Sequence, residues 1–180
     1  MTHIMIDLET LSTRMNAVII EVGYCLFEPT GDGVDFSATF RLDVEEQIDT
    51  GRSMTWKTIQ WWMKQDEAAR MKIADPQGYE IFGIEAFLDE FSNVIPWGSI
   101  EGVWSHGAGF DIPILTDLYA SAGLKEPWHY RTPRDTRTLF SLSPMEMVPA
   151  TMKHSAEADA IAQALTVQKS FKALQAKESS

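Results

Sequence analysis

The feature that most constrains this chain is an apolar run near the N-terminus that leads directly into two acidic residues. Residues 4–6 predict a buried strand, and Asp7 and Glu9 follow with Leu8 between them. Because side chains alternate between the faces of a strand, Asp7 and Glu9 point to one face and Leu8 points back into the core. Two neighbouring carboxylates repel each other and are costly to desolvate. A divalent metal ion between them is therefore the simplest expected partner.

The composition is typical of one folded domain. Of the 180 residues 44% are hydrophobic, and we place a single domain at residues 1–176, before a short polar tail at residues 177–180. The single cysteine, Cys25, excludes an intramolecular disulfide and a cysteine-based zinc site, and it is typical of a reducing compartment. No segment approaches the roughly 18–20 consecutive apolar residues of a membrane helix, and no secretory signal is visible. We therefore expect a cytoplasmic protein with no membrane partner.

The net charge narrows the possible functions. It is −11, from 15 basic and 26 acidic residues. Such an acidic chain is atypical of a passive nucleic-acid binder, which is normally basic. It is compatible with an enzyme that meets phosphate groups through bound metal ions, because the cations offset clustered carboxylates locally.

The hydrophobic pattern predicts three strands, then helices, then a strand-helix-strand-helix segment. Strands are expected at residues 4–7, 16–27, 34–42 and 103–105, with a last strand or short helix at 135–140. Helices are expected at residues 55–71, 81–95 and 110–123 and after His154, with a break at 75–78 and an irregular stretch at 141–153. This order predicts an α/β fold with a mixed sheet, antiparallel in its first half and parallel in its second.

Two further acidic residues lie at the edges of predicted elements. Asp111 follows the fourth strand through a glycine-rich turn, where sites of α/β proteins usually form. Asp159 lies in the first turns of the last helix, five residues after His154. Residues five apart on a helix differ in direction by about 140°, so we expect His154 on the loop before the helix, free to swing over the site, with Ser155 as N-cap. The alanines that follow are small enough to bring Asp159 close to the first strand.

These motifs, in this order, resemble the DEDDh (DnaQ-like) family of 3′-to-5′ exonucleases. The resemblance is carried by an Asp-x-Glu motif at residues 7–9, a Phe-Asp motif at 110–111 and a His-x4-Asp motif at 154–159. Residues 61–66 and 130–139 are similar to the branch that contains the mycobacterial adenylate-preferring exoribonuclease and the T-even phage exonuclease A. The resemblance covers nearly the whole chain and implies a ribonuclease H-like fold with a mixed five-stranded sheet flanked by helices.

The resemblance also implies a mechanism, namely phosphodiester hydrolysis with two Mg²⁺ or Mn²⁺ ions. It implies that Asp7 binds both ions, that Glu9 and Asp159 bind the ion that activates water, and that Asp111 binds the second ion. It makes His154 the general base, and the unperturbed histidine pKa of about 6.5 suits proton removal at neutral pH. The implied reaction releases nucleoside 5′-monophosphates from the free 3′ end of single-stranded RNA or DNA.

Other residues are candidates for contact with the substrate. These are Leu8, Thr10, His106, Gly107, Phe110, Arg131 and Arg134. The arginines could bind phosphate groups of the substrate or a subunit interface, or they could form local ion pairs on a solvated loop. The tryptophans at positions 56, 61 and 62 could stack on bases, although helical spacing favours core packing for the first and the last. Asp135 is interpreted as a structural acid near Arg134 or Arg137.

The family resemblance further implies a homodimer, in the cytoplasm of a bacterium or of the host of a phage. Two alternatives stay open. One is a non-catalytic nucleic-acid-binding module on the same fold, which the complete set of acids and the negative charge disfavour. The other is a phosphodiesterase that acts on short oligonucleotides, which substrates of graded length would distinguish.

Overall fold

The structure is a computed structural model that describes residues 1–74, 78–143 and 146–178, with side chains as far as residue 176. Within these residues six strands form one mixed sheet. They are β1 (Thr2–Thr10), β2 (Ile19–Phe27), β3 (Phe36–Leu42), β4 (Ile81–Phe82), β5 (Ile100–Ser105) and β6 (Pro133–Asp135), in the order β4-β3-β2-β1-β5-β6. β1 to β3 form an antiparallel meander, whereas β5 and β6 are added in parallel beside β1. The predicted α/β fold with a mixed sheet is confirmed.

Seven α-helices lie among the described residues. They are α1 (Val44–Asp49), α2 (Trp56–Met63), α3 (Glu67–Ala74), α4 (Ile84–Val94), α5 (Asp111–Ser121), α6 (Thr136–Leu142) and α7 (Ala156–Glu178). The helix predicted at residues 55–71 is two helices, because Lys64 ends α2 and the Asp66 side chain caps α3 by accepting a hydrogen bond from Ala69 N. α1 was not predicted, and the Asp43 side chain caps it. None of these helices is both long and apolar enough to cross a membrane.

The predicted number of five strands is wrong, because the sequence pattern favours a helix from residue 81. Ile81 and Phe82 instead pair with Arg41 and Leu42, so β4 lies parallel to β3 at the edge of the sheet, and α4 begins only at Ile84. A strand of two residues is too short to show an alternating pattern, and its pairing depends on residues far away in the sequence.

After β5, some of the predicted element bounds agree with the structure and others differ from it. β6 ends at Asp135, whose carboxylate accepts hydrogen bonds from the backbone N–H groups of Arg137 at 3.2 Å and Thr138 at 3.1 Å. Asp135 therefore caps α6, and residues 135–140 contain the end of a strand and a helix. α6 continues to Leu142, within the stretch predicted to be irregular, and α7 includes residues 177 and 178 of the predicted tail. Residues 75–77 of the predicted break and residues 179–180 of the tail lie outside the described residues.

Two apolar clusters pack on the two faces of the sheet. The even-numbered face of β1 packs against α4 and α5, whereas Met5, on the other face, lies in a cluster with α7. α7 lies directly on β2, because a Cβ at Gly23 would come within 2.0 Å of the backbone carbon of Ala156. Gly23 pairs with Asp7 across the sheet. The first turn of α7 is therefore held beside the acidic end of β1.

Candidate active site

Three carboxylates meet where β1 and α7 come together. Asp7 and Glu9 leave the same face of β1, and Asp159 comes from the first turns of α7. One carboxylate oxygen from each of the three lies within 4.8 Å of the others. Residues separated by about 150 positions in the sequence thus form one cluster, as the small alanines of α7 predict.

The fourth acidic residue approaches from α5. Asp111 is the first residue of that helix and is almost fully buried. Its Oδ1 accepts a hydrogen bond from the backbone N–H of Leu8 at 3.1 Å, which fixes the carboxylate beside β1. Its negative charge contributes to the raised pKa of Asp7, so the two carboxylates influence each other directly.

Burial is the main electrostatic cost at this site. It raises the pKa of Asp7 well above its ordinary value, and the negative charge of Asp111 is the next largest cause. Burial likewise raises the pKa of Glu9 to about 8, of Asp111 to about 7, and of Asp159 above its ordinary value. Four carboxylates in this setting cannot all be ionised at neutral pH without compensating positive charge. An all-oxygen donor set of this kind fits Mg²⁺ or Mn²⁺.

His154 lies on the loop before α7, as expected. The ring packs edge-on against Trp61 and Trp62, with centroid distances of 4.9 Å and 5.7 Å. Its backbone has a positive φ of 57°, and the backbone N–H groups of His154 and Ser155 lie near enough to the Asp159 carboxylate to lower its pKa, although burial outweighs them. The imidazole is thus held between α2 and the acidic cluster.

A buried ion-pair network supports the start of α7. Glu21 lies opposite Glu9 across β1 and β2, and it is 1% exposed. Its Oε1 accepts hydrogen bonds from Lys72 Nζ at 2.7 Å and from Ala156 N at 2.9 Å, and its Oε2 accepts one from Arg41 Nη1 at 3.2 Å. Sequence reasoning missed this network, although a glutamate inside the apolar run of β2 was a visible signal.

Ser155 occupies the N-cap position of α7, but its hydroxyl does not cap the helix. Its carbonyl accepts the helical hydrogen bond from Asp159 N at 2.8 Å. Its Oγ instead accepts a hydrogen bond from Lys72 Nζ at 2.7 Å. The Glu21 carboxylate caps the helix by accepting from the backbone N–H of Ala156. Lys72 also lowers the pKa of Glu9 and of Asp159, although burial outweighs it at both.

A pocket of about 340 Å³ lies beside the acidic cluster. Three of the predicted substrate residues, Leu8, Thr10 and Phe110, line it together with Trp61 and Trp62. The indole N–H of Trp62 donates to the backbone carbonyl of Thr10 at 2.9 Å, so α2 is fixed against the end of β1. The predicted burial of Trp62 is confirmed.

The predicted core packing of Trp56 is wrong. Trp56 is the first residue of α2, and 64% of it is exposed. It lies on the outer side of the helix with Met63, seven residues later, which is also exposed. The same helical period fits either side of α2, and the contact with β1 decides which side is buried.

The remaining predicted substrate residues lie outside the lining of this pocket. His106 Nδ1 is 2.8 Å from Thr136 Oγ1, and the backbone carbonyl of Gly107 accepts a hydrogen bond from Ser105 Oγ at 3.4 Å. Arg134 lines a second pocket, of about 380 Å³, beside the first turns of α5, whereas the guanidinium of Arg131 contacts its neighbour Tyr130.

A protein-family model, the 3′-5′ exoribonuclease Rv2179c-like domain, matches residues 2–171 of this chain. The chain belongs to this family. The resemblance to the DEDDh exonucleases is thereby confirmed.

Comparison with curated proteins gives a relative of the exonuclease family in a phage. The exodeoxyribonuclease of Enterobacteria phage T4 is 34% identical over 128 residues, which are 66% of this chain and 56% of the phage protein. The chain thus matches little more than half the length of that relative.

Solved exonuclease structures share the fold. E. coli exonuclease I in complex with a dT13 oligonucleotide is 11% identical, with a TM-score of 0.60 over 96% of this chain and 40% of that chain. The nuclease domain of 3′hExo bound to rAMP, described as a DEDDh family member, is 13% identical, with a TM-score of 0.55 over 95% of this chain and 92% of that chain. These likenesses confirm the ribonuclease H-like fold of the family.

Proposed function

We propose that this protein is a metal-dependent 3′-to-5′ exonuclease that degrades single-stranded RNA or DNA to nucleoside 5′-monophosphates. The observation that carries the proposal is the cluster of Asp7, Glu9 and Asp159, within 4.8 Å of one another beside a pocket of about 340 Å³. Membership of an exoribonuclease-like family supports it. Both polymers are included because the family description names RNA and the phage relative is an exodeoxyribonuclease.

The four carboxylates are the proposed ligands of two Mg²⁺ or Mn²⁺ ions. Asp7 would bind both ions, Glu9 and Asp159 would bind one of them, and Asp111 would bind the other. When bound, the ions supply positive charge to the attacking and leaving oxygens of the phosphodiester. Their charge also favours the ionised form of carboxylates whose pKa burial raises.

His154 is the proposed general base, which takes the proton of the attacking water. Contacts with Trp61 and Trp62 orient its ring, and its backbone N–H lies beside the Asp159 carboxylate.

The pocket is the proposed binding site for the 3′-terminal nucleotide. Leu8 and Phe110 contribute apolar side chains to the pocket lining, and Trp61, which is partly exposed, contributes an aromatic ring on which a base could stack. Lys57 also lines the pocket and is a candidate phosphate contact in an otherwise acidic protein. Arg131 and Arg134 remain candidates for contact with the more distant part of the strand or with a second subunit.

We extend the proposal to a homodimer that acts in the cytoplasm. The homodimer is proposed from the family resemblance. The cytoplasmic location is proposed because the only cysteine, Cys25, is buried and can form no intramolecular disulfide, which is typical of proteins in a reducing compartment. Light scattering coupled to size-exclusion chromatography tests the dimer, with one peak of twice the chain mass as the expected result.

The test of the activity uses 5′-labelled RNA and DNA of one sequence, in graded lengths, with Mg²⁺, Mn²⁺ or EDTA. A descending ladder with either metal but not with EDTA, absent for Asp7→Asn, is expected, and chromatography should identify 5′-monophosphates. If the wild type leaves both polymers intact with either metal, or if the variant digests equally well, the proposal is wrong. Digestion restricted to the shortest substrates would indicate the oligonucleotide phosphodiesterase instead.

A further inference from the structure

Gln163 is a buried polar residue of α7 with no role in the predicted site. It lies four residues after Asp159, so the two side chains leave the same side of the helix on successive turns. Its neighbours Ala160 and Ala164 are fully buried, and only 6% of Gln163 itself is exposed. Amide side chains usually lie at the surface. A buried amide among alanines therefore needs a chemical reason.

The amide nitrogen of Gln163 contacts the proposed metal ligand Asp7. Nε2 donates a hydrogen bond to Asp7 Oδ1 at 2.8 Å. This orientation suits the ionised Asp7 of a metal-bound site, because the amide oxygen would place a second acceptor against the carboxylate. A carboxylate oxygen has two lone pairs, so Asp7 Oδ1 can accept this hydrogen bond and still bind a cation.

The other end of the same amide is unsatisfied. Gln163 Oε1 is buried and has no hydrogen-bond partner among the described residues. Most buried side-chain polar atoms do have a partner, and an unmatched acceptor destabilises the fold. An apolar side chain of similar size would avoid this penalty. The contribution of Gln163 is therefore made at Nε2, where it meets Asp7.

Gln168 provides a direct contrast on the same helix. It is 3% exposed, and both ends of its amide are satisfied by backbone groups. Its Nε2 donates to the carbonyl oxygens of Glu28 and Gly33, and its Oε1 accepts from Gly33 N. Gln168 thus fastens the loop after β2 to α7, far along the helix from the acidic cluster. It shows what a purely structural glutamine looks like in this protein.

We propose that Gln163 is a positioning residue for the metal centre of the proposed exonuclease, on which this inference rests. Its amide holds the Asp7 carboxylate of β1 in a fixed relation to Asp159, one turn earlier on α7. The ligands from strand and helix then keep one mutual arrangement. Hydrogen bonds to ligand side chains orient them, and the loss of such a bond typically lowers metal affinity about 10–100-fold.

The test compares Gln163→Met with Gln168→Met, two substitutions of similar shape on one helix. The dissociation constant of Mn²⁺ is measured without nucleic acid, from the electron paramagnetic resonance signal of the free ion. The melting temperature is measured on the EDTA-treated proteins. We expect Gln163→Met to bind Mn²⁺ about 10-fold or more weakly, with an unchanged or higher melting temperature. Gln168→Met should show the opposite, wild-type affinity with a lower melting temperature.

A third readout concerns the metal requirement of the reaction. In the nuclease assay, Gln163→Met should need a higher Mg²⁺ concentration for half-maximal rate, and added Mg²⁺ should restore much of the rate. The inference is overturned if Gln163→Met binds Mn²⁺ like the wild type, or if its melting temperature falls as far as that of Gln168→Met. If the wild type itself neither binds Mn²⁺ nor degrades nucleic acid, the proposed function fails. If it does both and Gln163→Met matches it, only this inference fails.

Discussion

The two faces of β1 have opposite tasks, although they consist of alternating residues of one strand. Ile6 and Leu8 lie in the apolar cluster beneath α4 and α5, where burial stabilises the fold. On the other face Asp7 and Glu9 lie under α7, where burial raises the pKa of each carboxyl. A raised carboxyl pKa in the folded state means that the ionised group destabilises the metal-free fold. The apolar face therefore stabilises the folded protein, whereas the ionised carboxylates of the acidic face destabilise it.

The acidic face is supported by charges placed around it. Glu21 is buried opposite Glu9 and is matched by Lys72 and Arg41 from α3 and β3. The same carboxylate caps α7 through Ala156 N. The comparison thus shows that burial destabilises the ionised form of the clustered carboxylates, whereas Glu21, which supports the start of α7, is paired with two cations.

The largest expected effect comes from Asp7→Asn, which should abolish the function of the acidic face without destabilising the fold. We expect the nuclease rate to fall by more than about 100-fold, because even the loss of a hydrogen bond to a metal ligand costs 10–100-fold. The metal-free variant should be at least as stable as the wild type, because it lacks a buried carboxyl. Rates on end-labelled substrates and thermal unfolding in EDTA measure the two effects. A variant that is both inactive and much less stable would contradict the division of tasks.

Ile6→Ala should weaken the packing of the apolar face and leave the acidic face unchanged. The side chain is fully buried between the sheet and the helices. Truncation to alanine leaves a cavity and should lower the free energy of unfolding by about 3 kcal/mol. Urea denaturation measures this loss, and the nuclease rate per folded molecule should remain near that of the wild type. An unchanged unfolding free energy would show that this face is not the stabilising one.

Glu21→Gln should show how far the scaffold supports the acidic face. It leaves Lys72 and Arg41 buried with a neutral partner, so we expect a loss of about 3 kcal/mol or somewhat less. Mn²⁺ affinity should fall as well, because α7 loses its capping carboxylate. Glu85→Gln, at an exposed position of α4, is the matched control and should change stability by less than about 0.5 kcal/mol. If the two variants are equally stable, the ion-pair network of Glu21 does not stabilise the protein.

The smallest expected effect is a pH dependence that sharpens the comparison without a mutation. Burial raises the pKa of Glu9 from 4.5 to about 8 and of Asp111 from 3.8 to about 7. Between pH 6.5 and 8 the unfolded chain has both groups ionised while the folded chain retains protons. The free energy of unfolding in EDTA should therefore fall as pH rises, by on the order of 2 kcal/mol.

The window begins at 6.5 because His3 and His106 have lowered pKa values and act in the opposite direction at lower pH. Saturating Mg²⁺ should flatten the curve, because the cation favours the ionised carboxylates. Chemical denaturation at a series of pH values provides the measurement. A curve in EDTA that rises from pH 6.5 to 8 would mean that the carboxylates are not under strain.

The sequence predicted the elements whose pattern is local. The alternation of β1 placed Asp7 and Glu9 on one face, and the spacing from His154 to Asp159 placed the former before the helix. Each of these follows from the geometry of one element. The roles of the residues in these motifs were then predicted from the family resemblance.

The features that were missed depend on contacts between distant residues. β4 exists only through its pairing with Arg41 and Leu42, and the exposure of Trp56 follows from the side of α2 that meets β1. Glu21 and Gln163 are isolated polar residues in apolar surroundings. Only the packed structure shows that one meets Lys72 and the other meets Asp7.

The central claim is that the acidic face of β1 is a metal centre for nucleotide chemistry. Its most direct test is isothermal titration of the wild type and of Asp7→Asn with Mn²⁺, in the presence of a nucleoside 5′-monophosphate. The account predicts two ions bound per chain in the wild type and loss of this binding in Asp7→Asn. Equal binding by the two proteins, or no binding by a folded wild type, would contradict it.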